Sequence, residues 1–206
     1  MPGTMSRADL VADLKASLHD AAGVFTAAAD ADFERLLGLA ALDFGGKRPL
    51  LKSATLTLVA DTAAYSAPAD LAELHSERWS AGRLPQPWDA AWPGRPPRQS
   101  VVGAAGARQI VFTPAPGAAH LAALGSSFAY EYRAGHSIGA AAADTTIAAA
   151  DRGLLLLRAQ AEAMREVAVR NSAKPVSLRD GISGQTRNGT PSYLYETMLR
   201  EFREAA

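Results

Sequence analysis

The chain has 206 residues, which suits one large domain or one domain with an inserted subdomain. Its 21 basic residues equal its 21 acidic residues, so it lacks the basic excess of proteins that hold DNA mainly through phosphates. The absence of cysteine excludes a disulfide framework, a thiol nucleophile and cysteine-type zinc sites. Because no apolar run reaches membrane-spanning length and Asp9 and Asp13 interrupt the N-terminus, we expect a cytosolic protein without a secretory signal.

Two helices are predicted at the N-terminus. The first runs from about Ser6 to Ala22, with Ser6 as its N-cap. The second begins after Asp30 or Asp32 and ends at the glycine pair 45–46. Their apolar residues recur at helical spacing: Leu10, Val11, Leu14 and Leu18 in the first, and Phe33, Leu36, Leu37, Ala40 and Phe44 in the second.

The hydrophobic period changes from helical to alternating after Lys52. Residues 55–59 alternate and are rich in β-branched side chains, which indicates a half-buried strand. Further strand signals lie at 71–79, 108–113 and 128–133. Four or five short antiparallel strands between helical segments favour an inserted β-subdomain over a doubly wound α/β sheet.

Residues 83–98 are rich in proline and contain Trp88 and Trp92. Proline cannot supply the donors of a regular element, so this stretch is predicted to be a loop. The two tryptophans either fold back on the sheet or form a subunit interface, because exposed tryptophans are unfavourable in a monomer.

A long helix is predicted from Asp144 or Thr145 to about Ala173. Leu155 and Leu156 lie off its main apolar stripe, so the helix is apolar on more than one face. Core packing or a subunit interface would explain both leucines.

The C-terminus is predicted to be a flexible arm that ends in a short helix. Residues 176–190 have too few apolar side chains to pack alone, and Thr190 then caps a helix with Pro191 at its first position. A tethered helix of this length is marginal in water. We therefore expect its apolar face to dock on another chain, and Phe202→Asp to leave the melting temperature almost unchanged.

No motif predicts an active site. The histidines at 19, 75, 120 and 136 are scattered, and residues 45–48 lack the spacing of a phosphate-binding loop. Ser183 lacks the upstream glycine of a nucleophile elbow. The sequence thus predicts a non-enzymatic protein with no catalytic residue, cofactor or metal.

Together these patterns predict an α+β fold: a helical bundle of two N-terminal helices plus one long helix, with an inserted antiparallel β-subdomain and a C-terminal arm. The expected parts are a helical hairpin at 1–50, the β-subdomain at 51–140, the long helix at 141–174 and the arm at 175–206.

The order of these features resembles the head-to-tail connector (adaptor) proteins of tailed bacteriophages. The likeness covers roughly residues 6–206. It rests on the two helices followed by Leu-Lys-Ser-Ala-Thr-Leu-Thr-Leu-Val from Leu51, Tyr-Ser-Ala-Pro-Ala-Asp from Tyr65, Ile-Val-Phe-Thr-Pro-Ala-Pro from Ile110 and Phe-Ala-Tyr-Glu-Tyr-Arg from Phe128. The loop at 83–98 departs from the family.

The resemblance implies a virion neck protein that assembles in the bacterial host cytoplasm as a ring of about twelve copies beneath the portal protein. Such a ring contacts the next neck or tail protein, and DNA only passes through its channel. Docking on the portal would fall to the terminal helix, through Tyr193, Leu194, Tyr195, Met198, Leu199 and Phe202.

Three other interpretations stay open. The chain could be a head-closure or tail-completion protein on the tail side, a small enzyme with an unrecognised site, or a bacterial partner-binding module unrelated to phage.

Overall fold

The computed structural model describes residues 4–25, 30–79, 85–171 and 190–205. The chain divides into a helical unit, Met1–Arg48 with His136–Ala206, and a β unit, Pro49–Gly135. The predicted α+β fold, with a long helix and an inserted antiparallel β region, is confirmed.

In chain order the elements are α1 (Arg7–Leu18), α2 (Ala31–Lys47), β1 (Leu50–Thr57), β2 (Ala64–Ser66), β3 (Leu71–Trp79), β4 (Arg98–Val102), β5 (Gln109–Thr113), α3 (Ala118–Leu124), β6 (Ser127–Ala134), α4 (Arg152–Asn171) and α5 (Pro191–Ala205).

The first two helices begin close to where the sequence predicts. The Ser6 side chain accepts a hydrogen bond from the Asp9 backbone N–H at 3.2 Å, which confirms its role as the N-cap of α1. α1 ends at Leu18, and a 3₁₀ segment, His19–Phe25, follows it. The predicted end of α2 is wrong, since the helix continues through the glycines to Lys47. The Arg48 backbone N–H donates to the Phe44 carbonyl at 2.8 Å, which closes this last turn.

The long helix α4 begins at Arg152, later than predicted. Neither predicted cap begins it, because Asp144 lies in a 3₁₀ turn and the Thr145 hydroxyl is bonded elsewhere. The Thr145 hydroxyl donates to the Met5 carbonyl at 2.7 Å, and the Thr146 hydroxyl accepts from the Ser137 backbone N–H at 2.9 Å. Two short 3₁₀ turns, Ala142–Asp144 and Ala149–Asp151, precede α4.

The terminal helix α5 packs within its own unit, so the expectation that its apolar face lacks an intramolecular partner is wrong. Phe202 is only 2% exposed and belongs to the core that α1, α2 and α4 share. Leu194, Tyr195 and Met198 are half-buried against the same core. The predicted cap is confirmed, because the Thr190 hydroxyl accepts from the Tyr193 backbone N–H at 3.3 Å. Residues 172–189, which contain the predicted tether, lie outside the described residues.

The β unit consists of two three-stranded antiparallel sheets, ordered β1-β6-β3 and β2-β5-β4. Alternation places one face of each strand in an aromatic core, where the rings of Phe112 and Phe128 meet edge to face with centroids 5.1 Å apart. The sequence pattern predicts neither β4, which begins at the end of the proline-rich loop, nor the short helix α3. Their local signals are weak, because each is short and flanked by proline or glycine.

The β unit begins and ends on paired strands. Leu50 of β1 lies opposite Ala134 of β6, so the chain enters and leaves the unit at neighbouring positions. On the helical side, an imidazole nitrogen of His136, Nε2, donates to the Arg48 carbonyl at 2.9 Å. The two points where the chain passes between the units are therefore close together within each unit: Leu50 and Ala134 in the β unit, and Arg48 and His136 in the helical unit.

Among the described helices, none combines the length and apolar character needed to cross a membrane.

Replacing Phe202 with alanine tests the packing of α5. Because the ring is buried in the core, we expect Phe202→Ala to lower the free energy of unfolding by about 3 kcal/mol or more. Urea denaturation followed by circular dichroism measures this loss. The matched control is Glu201→Ala, which alters an exposed side chain on the same helix and should change stability by less than about 0.5 kcal/mol. Equal stability of the two variants would contradict the packing.

Removing the β unit tests whether it is a closed insertion. Paired residues across a sheet lie about 5 Å apart, so a short glycine-serine link can replace residues 49–135 without straining the helical unit. We expect the shortened chain to keep its helical circular dichroism and to melt cooperatively. A broad, non-cooperative melt would show that the helical unit needs the β unit to fold.

Candidate interaction surface on the C-terminal helix

The six residues predicted to dock on a partner fall into two groups on α5. Phe202 is buried in the core and has almost no surface to offer another protein. Tyr193, Leu194, Tyr195, Met198 and Leu199 are half-buried. The exposed parts of these five side chains, and not a whole apolar face, are what α5 offers to a partner.

An open groove runs beside α5 and extends this surface onto α2. It encloses about 380 Å³. Leu42 lies on its α2 side and is 70% exposed, so it adds apolar surface to the groove. The lining residues are Leu42, Asp43, Gly46, Lys47, Arg158, Tyr195, Leu199, Phe202 and Arg203.

An ionic cluster lies at the groove, with Arg158 and Glu162 buried and Asp43 and Arg165 about half exposed. The Arg158 guanidinium bonds Asp43 Oδ2 through Nε at 2.7 Å and Glu162 Oε2 through Nη1 at 2.9 Å. The Glu162 side chain, from a residue only 2% exposed, also pairs with Arg165. Burial opposes the charge on Arg158, but its bonds to Glu162 and Asp43 outweigh burial and raise the pKa of the guanidinium above its usual value. The ion pair between Asp43 and Arg158 therefore links α2 to α4.

The rim of the groove is basic. Lys47 and Arg203 line it, and within the described part of the chain neither side chain forms an ion pair. Asp43, the one acidic residue of the lining, is already paired with Arg158. The groove thus combines exposed apolar atoms with uncompensated positive charge, which suits an acidic and partly apolar segment of a protein partner.

Arg48 bonds the last turn of α5. Its Nη2 donates to the Ala205 carbonyl at 2.9 Å, and its Nη1 pairs with Asp151 at 2.5 Å. A cation at a helix C-terminus satisfies carbonyls that have no partner within the helix. Arg48 therefore links the C-terminus of α5 to the start of α4.

The other predicted interface residues separate into different environments. Leu155 has 0% exposure within its own core, so core packing, and not a subunit interface, accounts for it. Leu156 is half-buried against the same core. In the β unit, Trp88 is 80% exposed and Trp92 is half-buried. An interface role for Leu156, Trp88 and Trp92 stays a prediction.

Sequence reasoning missed Leu42 and Lys47 as parts of the surface. A usable signal exists, because Leu42 lies off the inward stripe of α2 and so has to face solvent or a partner. Lys47 gives no comparable signal, since a lysine in the last turn of a helix is common.

Across the described ranges, no group of three or more histidine, aspartate or glutamate side chains is arranged to hold a metal ion. No protein-family model matches the chain, and a search of curated proteins finds no match to it.

Replacing Arg158 tests the ionic cluster at the groove. In Arg158→Met, the buried Glu162 carboxylate keeps only its pair with Arg165 and α2 loses its ion pair through Asp43, so we expect a loss of about 2 kcal/mol in the free energy of unfolding. Removing both charges, as Arg158→Met with Glu162→Met, leaves no uncompensated buried charge and should recover most of that loss. Urea denaturation compares the three proteins. If Arg158→Met is as stable as the unaltered protein, the cluster does not hold α2 to α4.

Proposed function

We propose that the chain is a structural protein of a bacteriophage neck, an adaptor that joins the portal protein to the next neck or tail protein. Copies form a ring of about twelve that continues the DNA channel, and the protein acts without catalysis. It is a component of the virion, assembled in the cytoplasm of the bacterial host.

The order of elements supports this proposal. A helical hairpin, an inserted antiparallel β unit, a long helix and a terminal helix follow one another along the chain. The resemblance to connector proteins implies the same order, and the strand patterns quoted for it lie in β1, at β2, in β5 and in β6.

The observation that carries the proposal is the groove beside α5. Its exposed leucine and basic rim suit a protein partner, and the half-buried residues of the terminal helix border it. Docking occurs on this surface with α5 already folded against its unit. This differs from the coupled folding and binding expected of a free arm, because Phe202 contributes to the core before any partner arrives.

Many copies in a ring strengthen such a contact. A groove of this size supports a modest affinity for each copy, but contacts made together around a ring add their effects. The portal segment that fills the groove carries apolar side chains for Leu42 and Leu199 and acidic side chains for the basic rim.

Electron microscopy of the chain mixed with purified portal protein tests the proposal. We expect a ring of copies on one end of the portal, with α5 at the contact. A ring attached to tail-side proteins and not to the portal would favour a head-closure or tail-completion protein. Absence of any assembly with either partner would contradict the neck function.

A variant with a charge in the groove tests the docking surface. Leu42→Glu adds a negative charge to an exposed position that would contact the acidic portal segment, so we expect portal affinity to fall about tenfold or more. Its melting temperature should stay close to that of the unaltered protein. The matched control is Val59→Glu, which makes the same kind of change at an exposed residue of the β unit. Equal portal binding by the two variants would show that the groove is not the docking surface.

A further inference from the structure

The edge strand β1 differs from the other edges of the β unit. It contains eight residues, pairs with β6 on one side and has no strand on its other side among the described elements. No hydrogen bond to another described residue occupies its outward backbone groups. Such a row of unpaired donors and acceptors is a template for pairing with another strand.

The opposite edge of the same sheet, β3, is protected. Two register shifts interrupt its pairing, between Leu71 and Glu73 and between Leu74 and Ser76. Arg108 Nη1 occupies the carbonyl of Leu71 and, at 2.9 Å, that of Ala72. β3 also carries three charged side chains, at positions 73, 77 and 78. Bulges and charges are the usual devices that prevent strand addition.

β1 has no bulge and only one charged side chain. Its residues, Leu-Leu-Lys-Ser-Ala-Thr-Leu-Thr, pair with β6 in an unbroken register and include no proline. Its one charge, on Lys52, is matched by Asp70 at 2.6 Å within the same unit. Leu51 is 51% exposed on the outer face of the strand. β2 and β4 are also edges, but they have only three and five residues.

We propose that β1 is a self-association edge, where the β1 strands of two copies pair antiparallel about a two-fold axis and join two three-stranded sheets into one of six strands. A two-fold contact uses the same surface on both copies and closes at a dimer. The partner is a second copy because the strand is complementary to itself in one register.

Side-chain placement selects this register. Opposed residues must lie on the same face of the joined sheet. For the two strands to pair along most of their length, the axis must pass near the middle of β1, at residue 53 or 54. With the axis at Ser53, Leu50 lies opposite Leu56 of the second copy, Leu51 opposite Thr55, and Lys52 opposite Ala54. An axis at Lys52 would place two ammonium groups together, and an axis at 54 would place Lys52 opposite Leu56.

The dimer is expected to be weak. One pair of short strands buries less than the roughly 1,200 Å² of a stable interface, so association should appear only at high protein concentration. A ring requires two different surfaces on each copy, so this contact is additional to those of a ring and does not depend on the proposed neck function.

Cysteine cross-linking of the full chain tests the register. Because the natural chain has no cysteine, Ser53→Cys introduces a single thiol on the proposed axis. Directly opposed Cβ atoms lie about 5 Å apart, from which a disulfide forms with small adjustment. Ser127→Cys is the matched control, an exposed serine on the same face of the central strand β6. Under mild oxidation we expect Ser53→Cys to form covalent dimer at least about fivefold faster than the control. Equal rates would overturn the proposal.

Sedimentation of the natural chain gives an independent measurement. We expect the mean mass to rise towards a dimer between about 10 µM and about 1 mM. Ser53→Lys places two like charges across the axis and should weaken the dimer about fivefold or more, whereas Ser127→Lys should leave it unchanged. A mass that stays monomeric throughout, or two lysine variants that behave alike, would overturn the proposal.

Discussion

The helical unit depends on the burial of Phe202 between helices that are distant in sequence. The ring belongs to the terminal helix, yet it lies in the core that α1, α2 and α4 build. α4 is apolar on more than one face, so the two N-terminal helices alone cannot cover it. α5 covers further apolar surface of α4, and Arg48 secures the end of α5. This arrangement brings Tyr195 and Leu199 beside Leu42 and so creates the groove.

Local patterns in the sequence predict the elements whose stability is decided locally. Helical spacing identifies α1, α2 and α4, and the hydroxyls of Ser6 and Thr190 mark helix starts that the structure confirms. Alternation identifies β1, β5 and β6, because one face of each strand meets the aromatic core. These features need no knowledge of which segments meet in space.

Features that depend on distant partners could not be predicted. Thr145, one of the two predicted caps of α4, donates instead to the carbonyl of Met5, which is far away in sequence, and α4 begins only at Arg152. The packing of α5 on its own unit is not predictable from its sequence, because a short helix is marginal without knowledge of the surface it packs on. The residues of α5 in the candidate surface can be predicted from their helical spacing. The groove cannot, because it forms only where α2 lies beside α5.

The pairing of Leu50 with Ala134 also determines how the β unit would respond to mechanical load. A force that separates Arg48 from His136 acts on adjacent ends of antiparallel strands, so it loads the hydrogen-bonded pairs one after another instead of all at once. Strands loaded in this way unzip progressively from the Leu50 end. Tension carried through the helices would therefore open the β unit at low force, and release would let the same pairs close again in order.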